Sequence, residues 1–160
     1  MLKHILYLFL ITLLPLLELR ASIPYGIISN NLSWWWVFII CVIANIIIGI
    51  IVFLVIDQFV KIVTKISFMN RLYELKVKSL QKKIHTGVEK WGELFLIIFI
   101  GIPLPGSGVY SGALAGYIMG ISFKKFMIAN IFGVLIAAIL VTIATMTGSE
   151  AFHFFIKEIK

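Results

Sequence analysis

The chain has 160 residues, of which 61% are hydrophobic and 13% charged, and its mean hydropathy is +1.09. That leaves too little polar surface to coat a soluble core, so a soluble domain is excluded and the chain belongs in a bilayer. The formal charge of +7 sits mostly in one block between two apolar regions; this is a membrane-topology pattern, and a nucleic-acid partner is set aside. Lipid offers no water to satisfy backbone groups, and no strand-like alternation runs far enough for a barrel. The expected class is therefore an all-α membrane protein, one integral domain over 1–160.

The chain opens with Met1-Leu-Lys-His and an apolar stretch from Ile5 to Leu17, the outline of a signal peptide. Glu18 and Arg20 stand where a cleavage site needs small residues, so the segment is expected to stay as mature structure. The apolar region Ile5 to Leu32 is interrupted by Pro15, Glu18, Arg20, Pro24 and Gly26. Its arms are too short to cross a hydrocarbon core of about 30 Å but long enough to enter and turn back, which predicts a re-entrant helical hairpin. An ionisable group at membrane depth costs at least about 2.5 to 3.5 kcal/mol and rarely persists without a partner or a task. Glu18 and Arg20 are thus the leading site candidates, Arg20 for an anionic headgroup and Glu18 as a proton-linked or neutralising group. A spacing of two puts them on different helix faces, so a direct ion pair needs the irregular backbone that Pro24 and Gly26 allow. The bland alternative is a short tail helix that leaves both solvated at the interface.

Trp34 to Ile56 is an uncharged run of 23 residues, about 34 Å at the helical rise and enough for a full span. Trp34, Trp35 and Trp36 fit an interfacial anchor. Cys41 is the single cysteine, so no disulfide or metal framework exists. Asn45 lies within this span, where hydrogen bonding to a neighbouring helix or to an unwound backbone is expected.

The segment 57–92 carries Lys61, Lys65, Arg71, Lys76, Lys78, Lys82, Lys83 and Lys90 and reads as an amphipathic connector on the cytoplasmic face of the inner membrane. Glu93 then begins the second broken region, Leu94 to Ile121, interrupted by Pro103, Pro105, Gly106, Gly108, Gly112 and Gly116. Its loop holds no charge, so its chemistry must come from backbone. Gly106 and Gly108 permit left-handed conformations, and the N–H groups that start the next helix form an anion site suited to phosphate. Gly108, Gly112 and Gly116 also form a four-spaced small-residue face and a candidate homodimer contact. Phe126 to Thr147 is the second full span, with Asn130 inside it.

If Leu94 to Ile121 crossed once, Lys124 and Lys125 would lie outside; a hairpin keeps them with the other positive charge. Ile43-Ala-Asn45-Ile46 recurs as Ile128-Ala-Asn130-Ile131. Broken hairpin then full span, twice over, predicts an inverted repeat: 1–56, the connector 57–92, and 93–160. In that architecture the substrate site lies where the broken helices meet. No Ser/His/Asp, Cys/His or metal spacing is present, so neither an enzyme nor a cofactor is expected.

Glu18-Leu-Arg20-Ala-Ser-Ile-Pro24-Tyr-Gly26 and Leu104-Pro105-Gly106-Ser-Gly108-Val-Tyr-Ser-Gly112-Ala-Leu-Ala resemble the small multidrug export family, itself similar to the DedA (SNARE-associated, VTT-domain) superfamily. The resemblance covers nearly the whole chain and implies facing re-entrant hairpins. It implies movement of lipids such as undecaprenyl phosphate or phospholipid, or proton-dependent resistance to cationic compounds. Three functions are therefore carried forward: an anionic-lipid transporter using Arg20 and the Gly106 to Gly108 backbone, a proton-coupled exporter of cationic compounds using Glu18, and a non-transporting scaffold. Candidate binding residues are Glu18, Arg20, Pro24, Gly26, Asn45, Pro103, Pro105, Gly106, Ser107, Gly108 and Asn130, with Glu18 and Glu93 as proton-linked groups. Membrane lipids are the expected partners, with a homodimer as a further expectation.

Overall fold

The computed structural model describes residues 2–15, 17–29, 32–63, 91–104 and 106–158. Among them are six helices and no strand: α1 Leu2–Thr12, α2 Glu18–Ile28, α3 Trp34–Val63, α4 Trp91–Gly101, α5 Val109–Ile118 and α6 Phe123–Glu158. All four prolines fall between residues 15 and 24 or 103 and 105. The long helices α3 and α6 are therefore uninterrupted, because nothing in them removes an i→i−4 donor. Trp34–Ile56 and Phe123–Gly148 are long and apolar enough to cross a membrane. Helix α3 runs on past the apolar stretch to Val63, so the first part of the basic connector continues the span. Most of the connector, residues 64–90, lies outside the described residues.

The four short helices have 10 or 11 residues each, about 15 to 17 Å or half a hydrocarbon core. They pair as antiparallel hairpins. In the first, Leu8 lies beside Gly26, and Thr12 Oγ1 donates to Ser22 Oγ at 2.7 Å. In the second, Ile100 lies beside Gly112 and Leu96 beside Gly116. A Cβ on Gly112 would come within 2.5 Å of Ile100 Cγ1, so any side chain there would have to push Ile100 aside. The glycine face expected to serve a homodimer is thus buried inside the hairpin.

The first turn lies at Pro15, the first of the interruptions between Ile5 and Leu32, and the irregular backbone expected at Pro24 and Gly26 is absent, since both lie in α2. There Leu14 N is bonded to Ile11 O, and Leu17 N and Glu18 N are both bonded to Leu14 O. Pro24 sits inside α2. It deprives Arg20's carbonyl of one donor, yet neighbouring helices hold the arm straight enough to continue. Gly26 is a packing residue, since a Cβ there would meet Val37 and Leu8.

The helices exchange partners between halves. α1 and α2 pack on each other and on α3; α2 also packs on α6, while α5 packs on both α3 and α6. Each hairpin's returning arm therefore lies against the long helix of the other half. Leu19, Ile23, Val37, Leu96, Ile100, Val109, Phe126 and Val134 form the core, and Phe126 stacks on Phe53 with ring centroids 4.1 Å apart. Ile43, Ile47, Ile51 and Leu54 on α3, with Phe132, Ile136, Ile139 and Ile143 on α6, face outward, as lipid-facing surfaces do. Lipid tails are as apolar as these side chains, so tight packing and hydrogen bonds hold the bundle together rather than transfer out of water.

Candidate functional site at the hairpin junction

The turns of the two hairpins meet and bond to each other. Glu18 opens α2 at φ +46°, a left-handed conformation that costs an L-residue about 1 to 2 kcal/mol. This start aims its side chain across the junction. The carboxylate Oε2 accepts a long bond, 3.4 Å, from the N–H of Val109, the first residue of α5. It rests on Gly108, whose φ of +152° and missing Cβ make room for it; a Cβ there would strike both carboxylate oxygens. Glu18 is 6% exposed. The Asn45 side chain, from α3, is a neighbour of the carboxylate.

Arg20, one half-turn on, reaches the opposite loop. One guanidinium nitrogen donates to the Leu104 carbonyl and the other to Ser107 Oγ at 3.0 Å. Ser107 is held in turn by the Ile102 and Leu104 carbonyls at 2.5 and 2.9 Å. A third link runs the other way, Tyr110 Oη donating to the Leu13 carbonyl at 2.5 Å. The two charges make no direct ion pair. Each is held instead by neutral groups of the other hairpin, so the expected neutralisation of Arg20 by Glu18 is replaced by a cross-hairpin arrangement.

Arg20 also heads a groove of about 370 Å³ lined by Pro24, Pro103, Leu140, Val141, Ala144 and Thr145. Its walls are mostly apolar and its head is cationic, which suits an amphiphile with an anionic end.

Of the residues singled out from the sequence, Glu18, Arg20, Asn45, Ser107 and Gly108 gather at the junction, and Pro24 and Pro103 line the groove. Gly106 stands exposed at φ +86° with nothing near it, so the turn needs its conformation but no contact. Pro105 lies outside the described residues. Gly26 packs between α1 and α3, away from the junction. Glu93 lies near the start of α4, about two turns from the loop, and the fold does not bring it to Glu18. Asn130 reaches α3, where Nδ2 donates to the Ile46 carbonyl at 3.1 Å and the amide lies over Gly49. The helix N-terminus expected to receive a substrate phosphate is filled by the chain's own Glu18 carboxylate.

Sequence reasoning missed Tyr110, Leu13 and the α6 face Leu140–Thr145. Tyr110 carried a weak signal as the one phenol in the Gly-rich loop. The α6 face carried none, because Leu140 and Val141 are compositionally indistinguishable from lipid-facing neighbours.

A family model described as "Putative small multi-drug export protein" matches residues 18–140. No curated protein and no solved structure matches the chain. The match covers most of the chain, from the residue that opens α2 to the groove-lining part of α6, and the chain belongs to that family.

Proposed function

We propose that this membrane protein of the small multi-drug export family is a transporter that moves an anionic lipid or lipid carrier, such as undecaprenyl phosphate or a phospholipid, in the manner of DedA-type proteins. The observation that carries this reading is the groove, which joins a cationic head at Arg20 to apolar walls from α6. A phosphate entering there meets a guanidinium already oriented by Leu104 and Ser107. The neighbouring α5 N-terminus is a second anion-holding group, occupied by Glu18 until substrate displaces it. Glu18 then acts as the switch: its carboxylate and the substrate's phosphate compete for one helix end, and its protonation weakens the grip between the hairpins.

The partner exchange between halves supports an inverted repeat with 1–56 and 93–160 as its units, and half-length arms support re-entrant hairpins. The basic 57–92 segment favours a cytoplasmic connector, and with it an inner-membrane location and both termini outside.

Native mass spectrometry of the purified protein with undecaprenyl phosphate and with phospholipids tests the reading. Arg20→Ala is expected to weaken phosphate-lipid binding about tenfold or more, since a charge-assisted bond contributes about 1.5 to 3 kcal/mol. Unchanged binding in both Arg20→Ala and Glu18→Gln removes the site assignment. The family match and the buried Glu18 favour one second reading, proton-coupled export of cationic compounds; resistance lost with Glu18→Gln but kept with Arg20→Ala would select it. A scaffold predicts that neither residue matters.

A further inference from the structure

Arg20 holds the opposite loop with only part of its donor set. A guanidinium carries five N–H groups in fixed directions and has no acceptor. Nη1 donates to the Leu104 carbonyl and Nη2 to Ser107 Oγ, and those two acceptors lie 2.9 Å apart. Only the parallel pair of N–H groups at the far end of the guanidinium can reach acceptors so close together, because the other N–H groups on Nη1 and Nη2 diverge sideways. The end fork is therefore filled by the loop. Left over are a second fork along one side, made of Nε–H and the remaining Nη2 N–H, and a single N–H on Nη1.

The loop is shaped to hold that end. Ser107 N–H bonds back to the Leu104 carbonyl at 3.1 Å, and Gly106 between them has φ +86°, the left-handed third position of a type II turn. Closing the turn sets its first carbonyl beside its last side chain. Ser107 Oγ has one proton, and the Ile102 carbonyl at 2.5 Å is its nearest acceptor. Its lone pairs take Arg20 Nη2 and the Leu104 N–H at 3.3 Å, so nothing of the hydroxyl is left for a ligand. The described lining of the groove includes Arg20, Pro24 and Pro103 but neither Leu104 nor Ser107. The filled fork is thus turned away from the groove, which is met by the rest of Arg20. From this geometry we infer that Ser107 is a positioning residue, which reserves the Nε/Nη2 fork of Arg20 for an anion with two unesterified oxygens on one phosphorus atom. Such a fork bonds both oxygens at once, as a point charge does not. The inference rests on the lipid-phosphate reading and deepens it, naming the edge of Arg20 that recognises the headgroup and the residue that sets it.

The test is titration of the full-length protein in detergent with undecaprenyl phosphate, read by native mass spectrometry. Arg20→Lys keeps the charge and loses the fork; it is expected to weaken binding about tenfold, close to the loss in Arg20→Ala. Ser107→Ala frees the guanidinium to turn and should weaken binding about three- to tenfold, whereas Ser107→Thr, which keeps the hydroxyl, should bind within about twofold of the parent. In the Ser107→Ala background Arg20→Lys should cost less than about threefold, a coupling that general loosening of the loop does not produce. Should Ser107→Ala not fold, Arg20→Lys compared with Arg20→Ala and the parent decides alone. Inorganic phosphate, which shares the oxyanion but not the chain, is expected not to displace the lipid; displacement at equal concentration would assign the fork to free phosphate and overturn the lipid source. Parent-like binding in Arg20→Lys or in Ser107→Ala, or an equal cost of Arg20→Lys in both backgrounds, overturns the proposal. Binding unchanged in Arg20→Ala removes the lipid-phosphate reading itself, whereas a loss in Arg20→Ala that Arg20→Lys avoids removes the fork and leaves that reading standing.

Discussion

The junction depends on two glycines for different reasons, and substitution separates them. Gly106 has φ +86° and open space around it, whereas Gly108 has φ +152° and the Glu18 carboxylate against it. Gly106→Ala is expected to cost about 1 kcal/mol, for backbone strain alone. Gly108→Ala adds displacement of Glu18 from the α5 N-terminus and should cost about 2 to 3 kcal/mol in denaturant unfolding. In a Glu18→Ala background the Gly108→Ala cost should fall to the Gly106→Ala level, a double-mutant coupling that backbone strain by itself cannot produce. Tyr110→Phe removes the bond to the Leu13 carbonyl and should cost about 0.5 to 1.5 kcal/mol. At this scale the sequence was informative where it was punctuated. Glu18, Arg20, Ser107 and Gly108 stood out because charge, hydroxyl and glycine interrupt an apolar run. Which group each would touch was hidden, since cross-hairpin partners 84 to 91 residues apart leave no local trace.

Elements of this size hold together through shape. The α1–α2 pair is joined by the Thr12 to Ser22 hydrogen bond, and such bonds within membranes average only about 0.6 kcal/mol. The α4–α5 pair depends on fit: Ile100 fills the space over Gly112, and Leu96 lies over Gly116 with a looser would-be contact of 3.2 Å. Gly112→Ala should therefore destabilise more than Gly116→Ala, and Ile100→Ala, which removes both Cγ1 and Cδ1, should cost less in the Gly112→Ala background than in the parent protein. Equal effects at the two glycines would mean that the arms separate readily. The short arms were legible because length alone forbids a crossing. Which of the five interruptions makes the first turn was not: Pro24 and Gly26 promised irregular backbone, yet Pro24 is carried inside α2 and the chain reverses at Pro15.

At the scale of the molecule, the open question is how half-length hairpins and two full spans sit across a bilayer. The antiparallel contacts of Leu96 with Gly116 bring Ser122 back toward the end of α4 that leads from the basic connector. A hairpin entering from that side then puts Ser122, Lys124 and the connector on one face. In that arrangement the start of α1, Ser33 and the end of α6 fall on the other. A single crossing through residues 94–121 reverses the position of Ser122 and separates Lys124 and Lys125 from the remaining basic cluster, against the charge rule. Single cysteines settle this in a Cys41→Ser background, because Cys41 is buried and is a small apolar contact whose replacement should be mild. Membrane-impermeant thiol reagent applied to inside-out vesicles is expected to label Ser79→Cys and Ser122→Cys alike and to spare Ser33→Cys; intact spheroplasts should give the reverse. Ser122→Cys labelling together with Ser33→Cys would make α4–α5 a crossing, and the inverted repeat would go with it. The Glu18 and Arg20 contacts would then belong to an interface between spanning helices rather than to two loops meeting inside the membrane.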